Sequence, residues 1–279
     1  MARVYDCVLY SGELEVLCLR LRELRDVVNT FVVAEATETF SGLPKTPSFR
    51  YTEPRIASYR DRIHHLIVED RIQASDPWER EAFQRNALVR GFADAASDDL
   101  ILVSDVDEIP RARVVRDMLA GDADTLYGLR MALYYFFINF RNTSGAEVHG
   151  VCTAAGRRRA LAGIPPNSLR QLVRRAPRVK RVDLAGWHFS MLLMGTDAVR
   201  SKIRAFSHQE LNNKDFLAAI DVERLVRDRR DLCGRSYTWA IKSDDLPEWL
   251  EDCPELRKRL SWSADATPCS DPAIRPPFG

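Results

Sequence analysis

The sequence predicts an α/β layer fold. Through the first half of the chain, strand-like and helix-like segments alternate, which is typical of a parallel sheet covered by helices. The run Leu100-Ile-Leu-Val103 is wholly apolar, as expected of a strand buried on both faces of such a sheet. Of the 279 residues, 46% are hydrophobic and 29% are charged, so the composition is that of a globular protein with a substantial core.

Three strands and two helices are predicted before this apolar run. The strands cover residues 4–10, 31–34 and 65–68, and the first helix covers 14–24. The second helix begins at Asp76-Pro-Trp-Glu79, where Asp can cap, Pro suits the first helical position and Glu can complete a capping box. We expect this second helix to end near residue 92.

After Arg130 the pattern changes. The aromatic-rich segment 131–140 and the segment 185–190 are predicted as strands, and helices are predicted at 196–206 and 216–229. One domain is expected to cover residues 1–265. The proline-rich tail, 266–279, is expected to be extended or disordered.

Charge and cysteine usage exclude several classes of protein. The chain has 41 lysines and arginines against 40 acids, a net charge of +1, so no overall field attracts nucleic acid or an anionic membrane. No apolar run approaches the roughly 20 residues of a membrane span. The six cysteines form no CxxC pair, and the first residues lack the features of a signal peptide. We therefore expect a cytoplasmic protein with reduced thiols, no membrane span and no nucleic-acid partner.

The clearest chemical motif is the acidic segment Ser104-Asp-Val-Asp-Glu108, directly after the apolar strand. Ligands of open α/β sheets bind beyond the carboxyl ends of the strands, which is where these acids fall. In an extended chain Asp105 and Asp107 point to the same side, so both can face one divalent cation. Such a cation would also relieve the repulsion among the carboxylates. The alternative is a turn with helix-capping acids; we favour a metal site.

Several short motifs stand in an order and spacing that match a known family. They are Glu13-Leu-Glu15, Arg20-Leu-Arg-Glu-Leu-Arg-Asp26, Asp105-Val-Asp-Glu-Ile-Pro110, Leu133-Tyr-Tyr-Phe-Phe137, Gly186-Trp-His-Phe-Ser190 and Phe206-Ser-His208. Together they resemble glycosyltransferase family 17 over about residues 3–240. The resemblance implies a GT-A fold, a single Rossmann-like mixed sheet flanked by helices. It also implies an inverting transfer of a sugar, with N-acetylglucosamine suggested, from a UDP-sugar to a glycan or other hydroxyl acceptor, with Mn²⁺ or Mg²⁺.

The resemblance also assigns catalytic roles. In GT-A enzymes a histidine from the second half commonly joins the DxD aspartates at the metal, and His188 is the first choice. His208 is the second choice and a candidate donor contact, as is Asp105. Inversion requires a carboxylate base, for which Asp197 and Glu147 are the candidates. The structural alternatives are histidines bonded to backbone and an Asp197 that only caps its helix.

Five further residues are candidates for contacts with the nucleotide sugar. Glu13 and Glu35 follow the first two strands and suit the uracil N–H or ribose hydroxyls. Lys202 could clamp the pyrophosphate, and Trp187 could stack on a sugar or lie in the core. Arg85 falls inside the apolar stripe of its predicted helix, so we expect it to contact the aspartates or the nucleotide. Each of the charged four could instead be solvated.

Two other functions compete with sugar transfer. A sugar-phosphate nucleotidyltransferase would share the sheet and acidic motif, but it would normally have a glycine-rich phosphate loop after the first strand. The segment 9–13 has a single glycine. A non-catalytic protein could use the basic stretch 157–181 to bind an anionic ligand or nucleic acid. Its binding would be sensitive to salt and would survive loss of Asp105 and Asp107.

Overall fold

A computed structural model describes residues 2–144 and 149–263. The strands are β1 (Val4–Leu9), β2 (Thr30–Ala36), β3 (Ile63–Val68), β4 (Leu100–Asp105), β5 (Glu108–Pro110), β6 (Tyr127–Tyr135), β7 (Phe140–Asn142), β8 (His149–Arg157), β9 (Lys180–Val182), β10 (Gly186–Ser190) and β11 (Trp239–Ile241). The α-helices are α1 (Leu14–Leu24), α2 (Pro77–Asn86), α3 (Ala112–Ala120), α4 (Pro166–Arg175), α5 (Thr196–Ala205), α6 (Lys214–Ala219), α7 (Val222–Arg227) and α8 (Pro254–Leu260). Short 3-10 helices cover Pro54–Arg62, Ala87–Phe92, Gln209–Leu211 and Glu248–Leu250.

The strands form one mixed sheet, which confirms the predicted α/β class. The main path runs in the order β11-β7-β6-β8-β4-β1-β2-β3, with β5 and β9 attached through β10 and β6. β1 is parallel to β2 and to β4, and β2 is parallel to β3. β8 is antiparallel to both β4 and β6, while β10 is parallel to β6. The carboxyl ends of β1, β2, β3, β4, β6 and β10 therefore face the same edge of the sheet.

The chain changes direction across the sheet between β1 and β4. From β1 it moves to β2 and β3 on one side, then returns to place β4 on the other side of β1, with Leu9 opposite Asp105. Such a switch point is where α/β sheets bind ligands. The acidic segment that follows β4 thus lies where the sequence predicts a site.

β4 is buried on both faces, as its apolar run predicts. Leu100 and Leu102 pack in the core cluster under α1, whereas Ile101 and Val103 pack in the cluster on the other face. All four side chains are fully buried, and their alternation follows from the two-residue period of a strand. Burial at about 25 cal/mol per Å² of apolar surface makes this strand a main source of stability.

Several predicted element boundaries were wrong. The second helix begins at the Asp76 cap as expected, with Asp76 accepting from the Trp78 N–H at 2.9 Å, but it changes to 3-10 geometry at Ala87. The segment 131–140 is broken where Phe136 adopts a φ of 60°. The predicted helix 216–229 is two helices, because the Asp221 side chain accepts from the Arg224 N–H and starts α7.

None of the helices in the described part of the chain has the length and apolar character that a membrane crossing requires. The five cysteines in that part are free thiols, as expected. The proline-rich tail lies outside the described residues, so its predicted character stays a prediction.

Candidate active site

A buried arginine on α1 holds the acidic segment in place. Arg20 is fully buried, and its Nε and Nη2 donate to the two carboxylate oxygens of Asp6 at 2.6 and 2.5 Å. Nη2 also donates to the Ser104 hydroxyl at 2.6 Å. Nη1 donates to the backbone carbonyls of Asp105 and Glu108 at 3.2 and 2.6 Å. One guanidinium therefore fixes both ends of the loop that carries the aspartates.

The sequence analysis gave Arg20 no chemical role. The signal was present, because Arg20 lies three residues after Leu17 and four before Leu24, inside the buried stripe of α1. A guanidinium in such a stripe needs a partner, which is the argument that singled out Arg85.

Two further arginines bind the carboxylates of the acidic segment. Arg85 Nη2 donates to Asp105 Oδ1 at 2.7 Å, which is the contact with the aspartates expected for it. Arg170, on α4, donates to Asp105 Oδ2 at 3.2 Å and to both oxygens of Glu108 at 2.6 and 2.8 Å. Burial alone would raise the pKa of Asp105, but the charges of Arg170 and Arg85 outweigh it and lower the pKa. Asp105 is therefore held ionised.

Asp107 faces His188. The His188 Nε2 lies 3.6 Å from Asp107 Oδ2, and the Phe189 N–H donates to the Asp107 carbonyl at 2.9 Å. This placement results from the antiparallel pairing of β10 with β5, which sets His188 opposite Glu108. Burial opposes the charge on both partners, yet their attraction lowers the pKa of Asp107 and raises that of His188. The predicted partnership of these two residues is present in the fold.

The Asp107–His188 pair fits a divalent cation better than the other candidate ligands. Its carboxylate oxygen suits Mn²⁺ or Mg²⁺, and its imidazole nitrogen is a ligand for transition metals, which favours Mn²⁺. Asp105 has 37% of its side chain exposed, but both its oxygens already accept from arginines. Ligand atoms of Glu108, Cys152 and His188 also lie within 4.8 Å of one another, although Arg170 holds both Glu108 oxygens.

The charges around the acidic segment support the same conclusion. Six carboxylates meet four cationic side chains; the groups are Asp6, Glu13, Glu81, Asp105, Asp107 and Glu108 against Arg20, Arg85, Arg170 and Lys202. One negative charge remains when His188 is protonated, the form that its raised pKa favours, and two remain when it is neutral, as a metal ligand must be. A divalent cation would balance this excess.

Two lysines lie beside the end of β1. Lys202, on α5, is 3.5 Å from the Glu13 carboxylate. Burial would lower the pKa of Lys202, but the charges of Glu13 and Asp107 outweigh it and raise the pKa. Lys45 Nζ donates to the Tyr10 carbonyl and to the Ser11 hydroxyl at 3.4 and 3.2 Å. Two ammonium groups thus stand close to the carboxylates at the switch point.

Glu35 anchors a loop, in place of the direct nucleotide contact that the sequence suggested. Its carboxylate is fully buried and accepts from the Ser48 N–H at 2.7 Å, the Phe49 N–H at 3.1 Å and His65 Nε2 at 3.2 Å. Lys45 Nζ is 3.4 Å away. Since both oxygens have protein partners, Glu35 fixes the loop after β2.

The environment of Glu35 predicts a pH effect on stability. Burial alone would raise its pKa, but His65, Lys45 and two backbone N–H groups lower it from 4.5 to about 2. A lowered pKa in the folded state gives stability that is present above about pH 4.5 and lost as the pH falls towards 2. We expect urea denaturation to show a loss on the order of 2–3 kcal/mol across this window, and a smaller loss in Glu35→Gln. The exposed Glu69→Gln variant should follow the parent, and parallel curves for all three would contradict the assignment.

Trp187 and His208 lie away from the carboxylate cluster. Trp187 is 2% exposed, its Nε1–H donates to the Asp245 carbonyl at 2.8 Å, and Arg111 covers its ring. It is a core residue and offers no face for a sugar. His208 is paired with Glu210 at 2.6 Å and lies edge-on to Trp78, with a centroid distance of 4.7 Å. The second-choice metal ligand is therefore not among the groups around Asp107.

Of the two candidate bases, only Asp197 lies in the described part of the chain. Asp197 has 94% of its side chain exposed and pairs with Arg200 at 2.9 Å. Asp197 is five residues before Lys202 on α5, so its side chain points about 140° away from that of Lys202. The structure does not bring Asp197 to the Asp107–His188 pair. Glu147 lies outside the described residues.

Comparisons with known proteins found a matching family, similar enzymes and a similar solved structure. Residues 1–240 match the model of glycosyltransferase family 17. The chain is 28% identical over 162 residues to beta-1,4-mannosyl-glycoprotein 4-beta-N-acetylglucosaminyltransferase of Homo sapiens and to its Rattus norvegicus counterpart. Each alignment covers 54% of this chain, which spans only 30% of the length of these relatives. A solved mycobacterial protein is similar over 66% of both chains, with 14% identity and a TM-score of 0.38.

Proposed function

Because the chain belongs to glycosyltransferase family 17, we propose that it transfers a sugar from a UDP-sugar to a saccharide hydroxyl, with inversion and with Mn²⁺ or Mg²⁺. The names of the relatives suggest N-acetylglucosamine as the sugar. The observation that carries the proposal is the meeting of the Asp107–His188 pair with Lys202 at the switch point of the sheet. This membership also favours sugar transfer over the nucleotidyltransferase and non-catalytic alternatives.

We place the donor diphosphate between the Asp107–His188 pair and the two lysines. A cation held by Asp107 and His188 would act as a Lewis acid that neutralises the leaving diphosphate. The ammonium groups of Lys202 and Lys45 would donate to phosphate oxygens. Lys202 is 3.5 Å from Glu13, a loose pairing that a phosphate oxygen can replace.

Arg20, Arg85 and Arg170 act by positioning in this proposal. Their guanidinium groups are already bonded to carboxylates and carbonyls of the acidic segment. Arg85 and Arg170 keep Asp105 ionised, and Arg20 fixes the backbone from which Asp107 projects. Such preorganisation means that the site does not have to rearrange as charge develops on the leaving group.

For the base that deprotonates the acceptor hydroxyl, we favour Glu147. Asp197 is exposed, paired with Arg200 and directed away from the acidic segment, whereas a base must come within hydrogen-bond reach of the attacking hydroxyl. The variants Asp197→Asn and Glu147→Gln distinguish the two candidates. Only the variant that lacks the true base should lose sugar transfer while it still binds the donor.

The donor class is tested by thermal-shift measurements with UDP-, GDP-, dTDP- and CMP-sugars, each with and without Mn²⁺. We expect a Mn²⁺-dependent increase in Tm with UDP-sugars, since a ligand at 100 times its Kd stabilises by about 2.7 kcal/mol. An increase in Tm with a different nucleotide sugar would show that the donor is not a UDP-sugar. An increase that did not depend on Mn²⁺ would contradict the proposed metal requirement for donor binding. If no nucleotide sugar stabilised the folded protein, the proposed transfer would be rejected.

A further inference from the structure

A cavity of about 610 Å³ lies between α6, α7 and the segment that follows them. We call it the arginine cavity because it is lined by Arg224, Arg229, Arg230 and Arg235. Its volume is within the range of small-molecule sites. None of these residues takes part in the proposed donor site.

Arg235 is held rigidly at this cavity. Its Nε and Nη2 donate to the two oxygens of Asp231 at 3.0 and 2.8 Å, and Nη2 also donates to the Tyr135 hydroxyl at 2.5 Å. The guanidinium lies over the Tyr237 ring, 4.5 Å from its centroid. Nη1 has no hydrogen bond within the part of the chain that the structure describes. Arg235 thus presents one fixed NH₂ group, with two N–H donors that have no acceptor among the described residues.

The other arginines give the cavity a positive charge. Asp231 has a fully buried side chain and is bound by Arg235, and Asp221 caps α7 through the Arg224 N–H. The wall has four arginines and two acids, and Asp228 beside it pairs with Arg224 at 3.5 Å, so one positive charge is in excess. Arg229 and Arg230 are exposed and have no carboxylate partner among the described residues. Their guanidinium groups can therefore receive an anion.

The backbone at Arg229 is unusual for this residue type. Arg229 has a φ of 53°, in the left-handed region that glycine adopts at less cost. It ends α7, where its N–H donates to the Val226 carbonyl and the Arg230 N–H donates to the Leu225 carbonyl. An arginine is therefore kept at a position that favours glycine, and its side chain lines the cavity.

Tyr135 connects the cavity to the strands of the proposed centre of reaction. Tyr135, which binds Arg235, is the register partner of Ser190 in β10. Ser190 is two residues from His188, so the two side chains lie on one face of the strand about 7 Å apart. Both strands end at the carboxyl edge that carries the acidic segment, so Tyr135 links the cavity to the strand that carries His188.

We propose that the arginine cavity binds the acceptor, and that this acceptor is a saccharide carrying a phosphate or a carboxylate group. The inference rests on the proposed sugar transfer. The forked guanidinium groups match the oxygens of either anion, and Phe216 and Tyr237 on the same wall offer apolar ring faces to the sugar.

Calorimetric titration with glucose 6-phosphate and glucuronate tests the proposal, with glucose and inorganic phosphate as the neutral and sugar-free probes. We expect at least one anionic sugar to bind at least tenfold more tightly than glucose and than phosphate. The variant Arg229→Gly/Arg230→Ala should weaken that binding at least tenfold, since glycine suits the backbone at 229 and the fold is retained. The matched control Arg113→Ala/Arg116→Ala removes two exposed arginines from α3 and should bind within twofold of the parent.

The outcomes separate this inference from the proposed transfer. If the anionic sugars bind no better than glucose, or bind equally well to the 229/230 variant, the cavity is not an anionic-saccharide site. If free phosphate bound as tightly as the anionic sugars, the proposal that the cavity recognises a saccharide would be wrong. The donor-induced thermal shift is a separate readout that the 229/230 variant should retain. If the parent showed no donor-induced thermal shift but still bound the anionic sugars, the transfer reaction and the acceptor role would be rejected. The arginine cavity would then remain a binding site for anionic sugars.

Discussion

Replacing Asp107 by asparagine is expected to lower kcat for sugar transfer by about 10²–10³ while the protein stays folded. Among the described residues Asp107 has the carboxylate closest to His188, and an amide oxygen carries no charge with which to hold a cation against the leaving diphosphate. The backbone contact from Phe189 does not involve the side chain, so the loop should keep its conformation. The rate is measured as release of nucleoside diphosphate from the donor that the thermal shifts identify.

The matched control is Asp197→Asn, which makes the same chemical change on an exposed side chain. It should keep the parental rate. An equal loss in Asp197→Asn, with donor binding intact, would make Asp197 the base in spite of its exposure. Full activity in Asp107→Asn would show that Asp107 is not a ligand of a catalytic metal ion.

Replacing Arg20 by methionine is expected to reduce the free energy of unfolding by about 3–5 kcal/mol, because it leaves Asp6 charged and buried without its partner. The carbonyls of Asp105 and Glu108 also lose their donor, so donor binding should weaken as well. Urea denaturation and the donor-induced thermal shift measure the two effects.

A double-mutant cycle makes this prediction specific. Asp6→Asn in the Arg20→Met background should cost less than the sum of the single changes, since the unpaired charge is gone. The exposed Arg116→Met variant should stay within about 0.5 kcal/mol of the parent. A loss below 1 kcal/mol in Arg20→Met would show that the guanidinium does not hold the acidic segment.

The features that the sequence predicts correctly are governed by neighbouring residues. The apolar run of β4 and the Asp76-Pro77 helix start need only local patterns, and the position of the acidic segment follows from the strand before it. The break at Phe136 and the Asp221 cap were missed although both are local, because aromatic periodicity and helical spacing continue through them.

The arginine contacts of the site depend on tertiary structure. Arg20 and Asp105 are 85 residues apart, and Arg170 and Glu108 are 62 apart. In the sequence Arg170 is one of many arginines in the stretch 157–181, and nothing local separates it from its solvated neighbours. Glu35 was misjudged for the same reason, since the backbone N–H groups that occupy it come from a later loop.

The strand order has a consequence for how the protein folds. β4, at the centre of the sheet, pairs with β1 from the start of the chain and with β8 from its second half. Contacts between such distant segments are slow to form, because each closes a long loop. During synthesis β1, β2 and β3 can associate first, but a nascent chain that stops before β10 has the acidic segment without His188 or Lys202. The active site is therefore completed late, when the second half docks on a sheet whose first half already exists.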